Sequence, residues 1–226
     1  MHAESLPRVE WLGRISFERA LALQDQTVTA LAGGVDTEVL FLLEHDPVYT
    51  IGRTRDRTSL GNAASLSHPV IETNRGGQAT YHGPGQLVGY PLLDLAKRGR
   101  DLHLYMRFLE EVLIKACSAL GVCANRREGL TGVWVSDRKI ASIGVGLRKW
   151  ITMHGFALNV CGPLEAFDAI TPCGITGVQI TSVEVEAGRT IALRDAAGAV
   201  EAAFLHTLNK KMPVPIDAPQ GAVQPQ

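Results

Sequence analysis

Only four of the chain's 226 residues are cysteine, and Cys117, Cys123, Cys161 and Cys173 include no C-x-x-C pair. A disulfide framework and a four-sulfur zinc site are therefore both disfavoured. Charge of one sign is also missing: 22 Lys and Arg face 23 Asp and Glu, a formal net charge of −1. That balance excludes non-specific nucleic-acid binding, which needs many phosphate-neutralising side chains. No apolar run approaches the roughly 18 to 20 residues that span a bilayer. The segment Met1 to Arg8 has no cationic start followed by an apolar stretch, so a cytoplasmic protein without a signal peptide is expected. Neither G-x-x-x-x-G-K-[ST] nor a G-x-G-x-x-G joining strand to helix occurs, and the seven histidines form no H-E-x-x-H or H-x-x-x-H. No metal and no cofactor is expected.

What is present is a 46% hydrophobic chain, long enough for a substantial core. Helix periodicity covers Ser16 to Leu31, with Ser16 as N-cap, and Asp101 to Leu120, stopped by Gly121. A weaker helix, interrupted by Gly198, is expected over 192–209. Glu38 to Leu43, Val48 to Ile51, Val70 to Thr73 and the run after Gln86 read as strands, and 53–68 as polar loop. Val133 to Val135, Lys139 to Leu147 and Ile151 to Val160 predict an antiparallel meander turning at Ser136-Asp137 and Arg148-Lys149. Strands and helices mixed without strict alternation predict an α+β fold, a single domain with a mixed β-sheet packed by helices, over residues 1–212. The Pro- and Gln-rich end from Pro213 is expected to be a disordered tail.

Chemistry concentrates in three segments. The first is Arg75-Gly76-Gly77-Gln78-Ala79-Thr80-Tyr81-His82-Gly83-Pro84-Gly85-Gln86, with four glycines and a proline around Arg, Tyr and His. Glycine lets backbone approach a ligand closely, so this loop reads as a binding element. The second is Cys173, between Pro172 and Gly174 in a tight turn where a thiol meets solvent. A thiol attacks only as thiolate, and an ordinary cysteine ionises at about pH 8.5, so Cys173 needs a cation or base. The third is Lys139, which opens the core-like strand Lys139-Ile140-Ala141-Ser142-Ile143-Gly144. A desolvated lysine exchanges its proton readily, although spacing alone favours a strand-edge lysine after the turn. Cys117 and Cys161 read as small buried hydrophobes. His103 and His206 lie in helical patterns without a motif, while His82 and His154 each adjoin a glycine in a strand-like context.

These segments together resemble the lipoate-biosynthesis octanoyltransferases. The shared motifs are Glu44 to Gly52, Arg75 to Gln86, Gly132 to Val135, Lys139 to Gly144, His154 to Asn159 and Pro172 to Gly174, in the family's order over residues 40 to 180. The resemblance implies a fold related to lipoate and biotin protein ligase catalytic domains. It implies that Cys173 is the acyl-thioester nucleophile and that Lys139 promotes its thiolate. It further implies acyl-binding roles for Arg75, Gly76, Gly77, Gln78, Ala79, Thr80, Tyr81 and His82, for Ser142, Ile143 and Gly144, and for Gly155, Phe156 and Ala157. The implied donor is octanoyl-acyl carrier protein. The implied acceptors are lipoyl domains of 2-oxoacid dehydrogenase complexes and the glycine cleavage H protein. Backbone N–H groups of Ser142 to Gly144 or of Cys173-Gly174 are candidate oxyanion donors. The rival readings are an ATP-dependent ligase that needs no Cys173, a non-catalytic lipoyl-domain binding module, and a cysteine hydrolase pairing Cys173 with His82 or His154.

Overall fold

The computed structural model describes residues 6–35, 37–54 and 57–214. Its elements are β1 (Arg8–Ile15), α1 (Phe17–Ala32), β2 (Val39–His45), β3 (Val48–Ile51), β4 (Val70–Glu72), β5 (Thr80–His82), β6 (Gln86–Leu92) and α2 (Leu102–Ala119). The second half supplies β7 (Asn125–Arg127), β8 (Leu130–Val135), β9 (Arg138–Arg148), β10 (Ile151–Asn159), β11 (Gln179–Ile180), α3 (Val183–Ala187) and α4 (Leu193–Lys211). An eight-stranded mixed sheet runs β1-β2-β6-β10-β9-β8-β7, with β11 laid on β9, and a three-stranded sheet runs β4-β3-β5. This is the expected α+β single domain.

Period-two alternation divides the core between the two faces of the large sheet. Along β2, Leu40 and Leu42 point to one face, where Phe108, Leu109 and Phe204 of α2 and α4 cover them. Val39, Phe41 and Leu43 point to the other, against Val28 of α1 and Val88 of β6. A third cluster of Tyr49, Ile51, Leu60, Tyr81 and Phe167 lies beneath the small sheet. The helices begin where their caps predict: Ser16 accepts from the Arg19 N–H, and Asp101 from the Leu104 N–H.

Three differences from the sequence reading have physical causes. The second meander turn falls at Lys149-Trp150, one residue later than expected, because both residues adopt positive φ (52° and 65°) as a two-residue hairpin turn demands. Strand β1 was not expected; it is a half-buried edge strand whose Arg8, Glu10 and Arg14 mask its apolar residues. The 53–68 stretch contains two 3₁₀ turns, Arg57–Leu60 and Ala63–Ser65, the first anchored by fully buried Leu60. The expected tail lies, from residue 215 onward, outside the described residues. Among the described residues no helix is long and apolar enough to cross a membrane.

Candidate active site

Lys139 is not at a strand edge. β8 pairs with β9 on one side (Trp134 opposite Lys139) and β11 docks on the other (Ile180 opposite Lys139), leaving the lysine 2% exposed. The spacing argument fails because β11 arrives from forty residues downstream. The Lys139 Nζ donates to the Cys173 Sγ at 3.1 Å and lies 5.4 Å from the Trp134 ring centroid. A buried ammonium is costly unless a counter-charge accompanies it. The Cys173 sulfur accepts its hydrogen bond, and the indole face adds a second favourable contact.

Gly132 makes room for this lysine. Its φ of +118° is barred to most side chains, and a Cβ there would fall 2.8 Å from Lys139 Cε and 2.6 Å from the Ala141 carbonyl oxygen. Buried Glu110 holds the spot by accepting from the Gly132 N–H at 3.3 Å while pairing with Arg107 and Arg126. Gly132→Ala is expected to displace the lysine tip by a few tenths of an ångström or more. Transfer should fall by up to about 10²-fold, with about 1–3 kcal/mol lost in urea unfolding; an unchanged turnover would show that Lys139 tolerates displacement.

Cys173 sits at the middle of a 3₁₀ turn, Pro172–Gly174, with φ +56°. Such a conformation is held only when its surroundings over-determine it. The Cys173 N–H donates to the Ala79 carbonyl, the Thr171 N–H to the Ser59 carbonyl, and the Gly174 N–H to the Thr171 carbonyl. The turn is thereby sewn to the glycine loop, and Gln78 closes the seam: its side-chain amide lies over Gly174, where a Cβ would meet Oε1 at 2.0 Å. These bonds also occupy the Cys173 and Gly174 N–H groups, so they are not free as oxyanion donors. The Ser142 hydroxyl, 3.9 Å from Sγ, and the Lys139 Nζ remain beside the sulfur.

From the sulfur opens a cleft of about 430 Å³. Arg75, Gly76, Gly77, Thr80, His82, Ser142, Ile143, Gly144, Gly155, Phe156 and Ala157 line it together with Lys139 and Cys173. Gln78, Ala79 and Tyr81 do not. Alternation along β5 explains this: Thr80 and His82 face the cleft, while Ala79 and Tyr81 face the cluster under the small sheet. Arg75 lines the cleft chiefly as the loop's brace. Its buried guanidinium donates to the Thr50 carbonyl and hydroxyl and to the Gln78 and Gly76 carbonyls. Burial pulls it down from the usual arginine range, opposed by the field of Cys173.

Sequence reasoning missed Phe17, Tyr90, Leu102, Met106 and Leu130, all lining residues. Each reads as ordinary core in a linear pattern, and only the fold turns it toward the cavity. His154, which the sequence flagged for its glycine neighbour, within the His154 to Asn159 motif and as a base in the hydrolase reading, also lines the cleft. It is buried inside β10 yet has φ +56°, with its N–H donated to Gln24 Oε1 at 2.7 Å and its Nε2 2.5 Å from Asn74 Oδ1.

The imidazoles are fixed by amides and hydroxyls, not by the thiol. His82 Nδ1 lies 2.7 Å from Gln86 Oε1, and His45 Nε2 2.7 Å from the Tyr90 hydroxyl. Cys173 has Lys139 and Ser142 as its hydrogen-bonding side chains, an arrangement that does not favour the cysteine–histidine hydrolase. Burial pulls His45 and His154 down to about 4, with Asp46 and Glu18 opposing at His45 and Arg75 reinforcing at His154; burial pushes His82 well below the usual histidine range. These groups ionise at about pH 6.5 in an unfolded chain. Between pH 6.5 and 4 the unfolded chain therefore binds more protons, so stability is full above about 6.5 and falls as pH drops toward 4. Each of His45 and His154 is expected to remove on the order of 1 kcal/mol per pH unit within that window. Urea midpoints should fall from pH 6.5 to 4, less steeply in His45→Gln; a flat wild-type profile would contradict this.

The sequence profile of the lipoyl protein ligase A/B catalytic domain matches residues 16–205. The octanoyltransferase of Geobacter metallireducens is 50% identical over 202 residues, covering 89% of this chain and 93% of that one. In structure, the bipartite lipoate protein ligase of Thermoplasma acidophilum superposes with a TM-score of 0.69 at 19% identity, over 90% of this chain and 84% of that one. The biotin protein ligase of Aquifex aeolicus gives a TM-score of 0.55 at 13% identity, over 91% and 70%. These structural likenesses show a shared fold. Together with the sequence matches, they mean that this chain belongs to the lipoyl protein ligase A/B catalytic domain family and stands among its octanoyltransferases.

Proposed function

We propose that this acyltransferase takes an octanoyl group from octanoyl-acyl carrier protein onto Cys173 and passes it to the acceptor lysine of a lipoyl domain. The observation that carries this reading is the 3.1 Å contact between Lys139 Nζ and Cys173 Sγ at the end of the cleft. In the first half-reaction the Cys173 thiolate attacks the carrier's thioester carbonyl. The C–S bond to the carrier breaks, and the Lys139 ammonium protonates the departing thiolate. In the second, neutral Lys139 takes a proton from the acceptor amine as its nitrogen attacks the Cys173 thioester. The amide forms, the C–S bond to Cys173 breaks, and the thiolate–ammonium pair is restored.

The Ser142 hydroxyl beside the sulfur supports the tetrahedral oxyanion. Thioester exchange is nearly isoenergetic and amide formation runs downhill, so the cycle needs no nucleotide. Burial of the octanoyl chain in the cleft contributes about 0.8 kcal/mol per methylene. The acceptors on this reading are lipoyl domains of 2-oxoacid dehydrogenase complexes and the glycine cleavage H protein, and the setting is cytoplasmic.

The test is transfer to a purified apo lipoyl domain, followed by mass. Octanoyl-acyl carrier protein alone should give the octanoyl-lysine product. Product formed only from free octanoate with ATP and Mg²⁺ would point to a ligase, and octanoate release outpacing transfer to a hydrolase.

A further inference from the structure

The cleft has a reactive end and a closed end, and the closed end is an aromatic plug. Cys173 sits over Ser142 of β9; Ser142 pairs with Ala157 of β10, and Ala157 with Val88 of β6. Crossing from β9 to β6 spans two inter-strand spacings, about 10 Å, close to the length of an extended eight-carbon acyl chain. The strand crossed is β10, whose Gly155 and Ala157 line the cleft and leave room above the sheet. Beyond it stand Tyr90 of β6 and Phe17, the first residue of α1, both also lining the cleft.

Phe17 is 3% exposed and wedged among rings. It lies 6.2 Å from His82 at an interplanar angle of 20°, 6.5 Å from His154 at 14°, and 5.2 Å from His45. Tyr90 meets His154 edge-on at 6.2 Å. The histidines are hydrogen-bonded to Gln86, Asn74 and Tyr90, which braces the rings packed around Phe17.

We infer that Phe17 sets the acyl chain length this enzyme accepts, by stopping the methyl end of a chain whose carbonyl is held at Cys173. The inference rests on the acyl-enzyme reading above. A close-fitting apolar wall discriminates by about 10- to 200-fold per methylene, so each two-carbon step past the plug should be felt.

The experiment measures the rate of acyl-enzyme formation by intact mass, with hexanoyl, octanoyl, decanoyl and dodecanoyl thioesters of acyl carrier protein. It is run on wild type, Phe17→Ala and the milder Phe17→Leu. Wild type should favour octanoyl over decanoyl by at least about 10-fold. Phe17→Ala should bring that ratio to unity or reverse it, with Phe17→Leu between the two. The ratio is internal to each variant, so partial misfolding lowers all rates without moving it. Adducts on wild type with a ratio unmoved in both variants overturn the role of Phe17 alone. No adduct on wild type from any chain length overturns the acyl-enzyme reading with it.

Discussion

Cys173→Ala should lose octanoyl transfer by on the order of 10⁴-fold or more, because the variant lacks the thiol that carries the acyl chain and the neighbouring Ser142 hydroxyl is a far weaker nucleophile. The fold should survive the change. The turn that presents residue 173 is held by its backbone N–H to the Ala79 carbonyl and by the Gly174 N–H to the Thr171 carbonyl, and neither bond involves the sulfur. Alanine replaces one L-residue by another at φ +56°, so the backbone strain is unchanged. Stopped assays with octanoyl-acyl carrier protein and an apo lipoyl domain measure the loss, and thermal melting checks the fold. Activity within tenfold of wild type in Cys173→Ala would remove covalent catalysis from the account and leave a ligase or a binding module.

Lys139→Met is expected to cost about 10²- to 10⁴-fold in transfer, the usual range for losing a positioned proton carrier. Methionine fills much the same volume against Trp134 without a charge. Only one partner of the Lys139–Cys173 contact is removed, so the melting temperature should hold or fall, and it is measured alongside. Two readouts separate the roles of the lysine. Alkylation of Cys173 by iodoacetamide at pH 7 should slow in Lys139→Met and recover in alkaline buffer, where the thiol ionises unaided. Transfer should stay impaired in that buffer, because the amine proton still has nowhere to go. Transfer recovering fully with alkylation would restrict Lys139 to promoting the thiolate.

The parts of this structure that were legible in the sequence are those governed by local periodicity and short motifs. The 3.6-residue apolar pattern of α2 and the unbroken apolar run of β2 place the core directly. The Pro172-Cys173-Gly174 turn announces a thiol that is only partly buried. What was not legible depends on segments meeting from afar. Nothing near Lys139 in the chain shows that β11 will cover it, and spacing alone made it an edge residue. The glycine loop reads as one binding element, yet β5 sends Ala79 and Tyr81 away from the cleft. Phe17 looks like the first apolar residue of an amphipathic helix, and its place at the cleft's closed end follows from packing against three histidines drawn from β2, β5 and β10. Edge strand β1 escaped notice because its charged residues blur the alternation.

The central claim is that the acyl group rests on Cys173 between donor and acceptor. Its most direct test is to mix the enzyme with octanoyl-acyl carrier protein, weigh the intact protein, and then add apo lipoyl domain. A single octanoyl adduct should form that maps to Cys173, is absent from Cys173→Ala, and disappears at the rate at which octanoylated lipoyl domain appears. No adduct on wild type, or an adduct that persists while product accumulates, would contradict it.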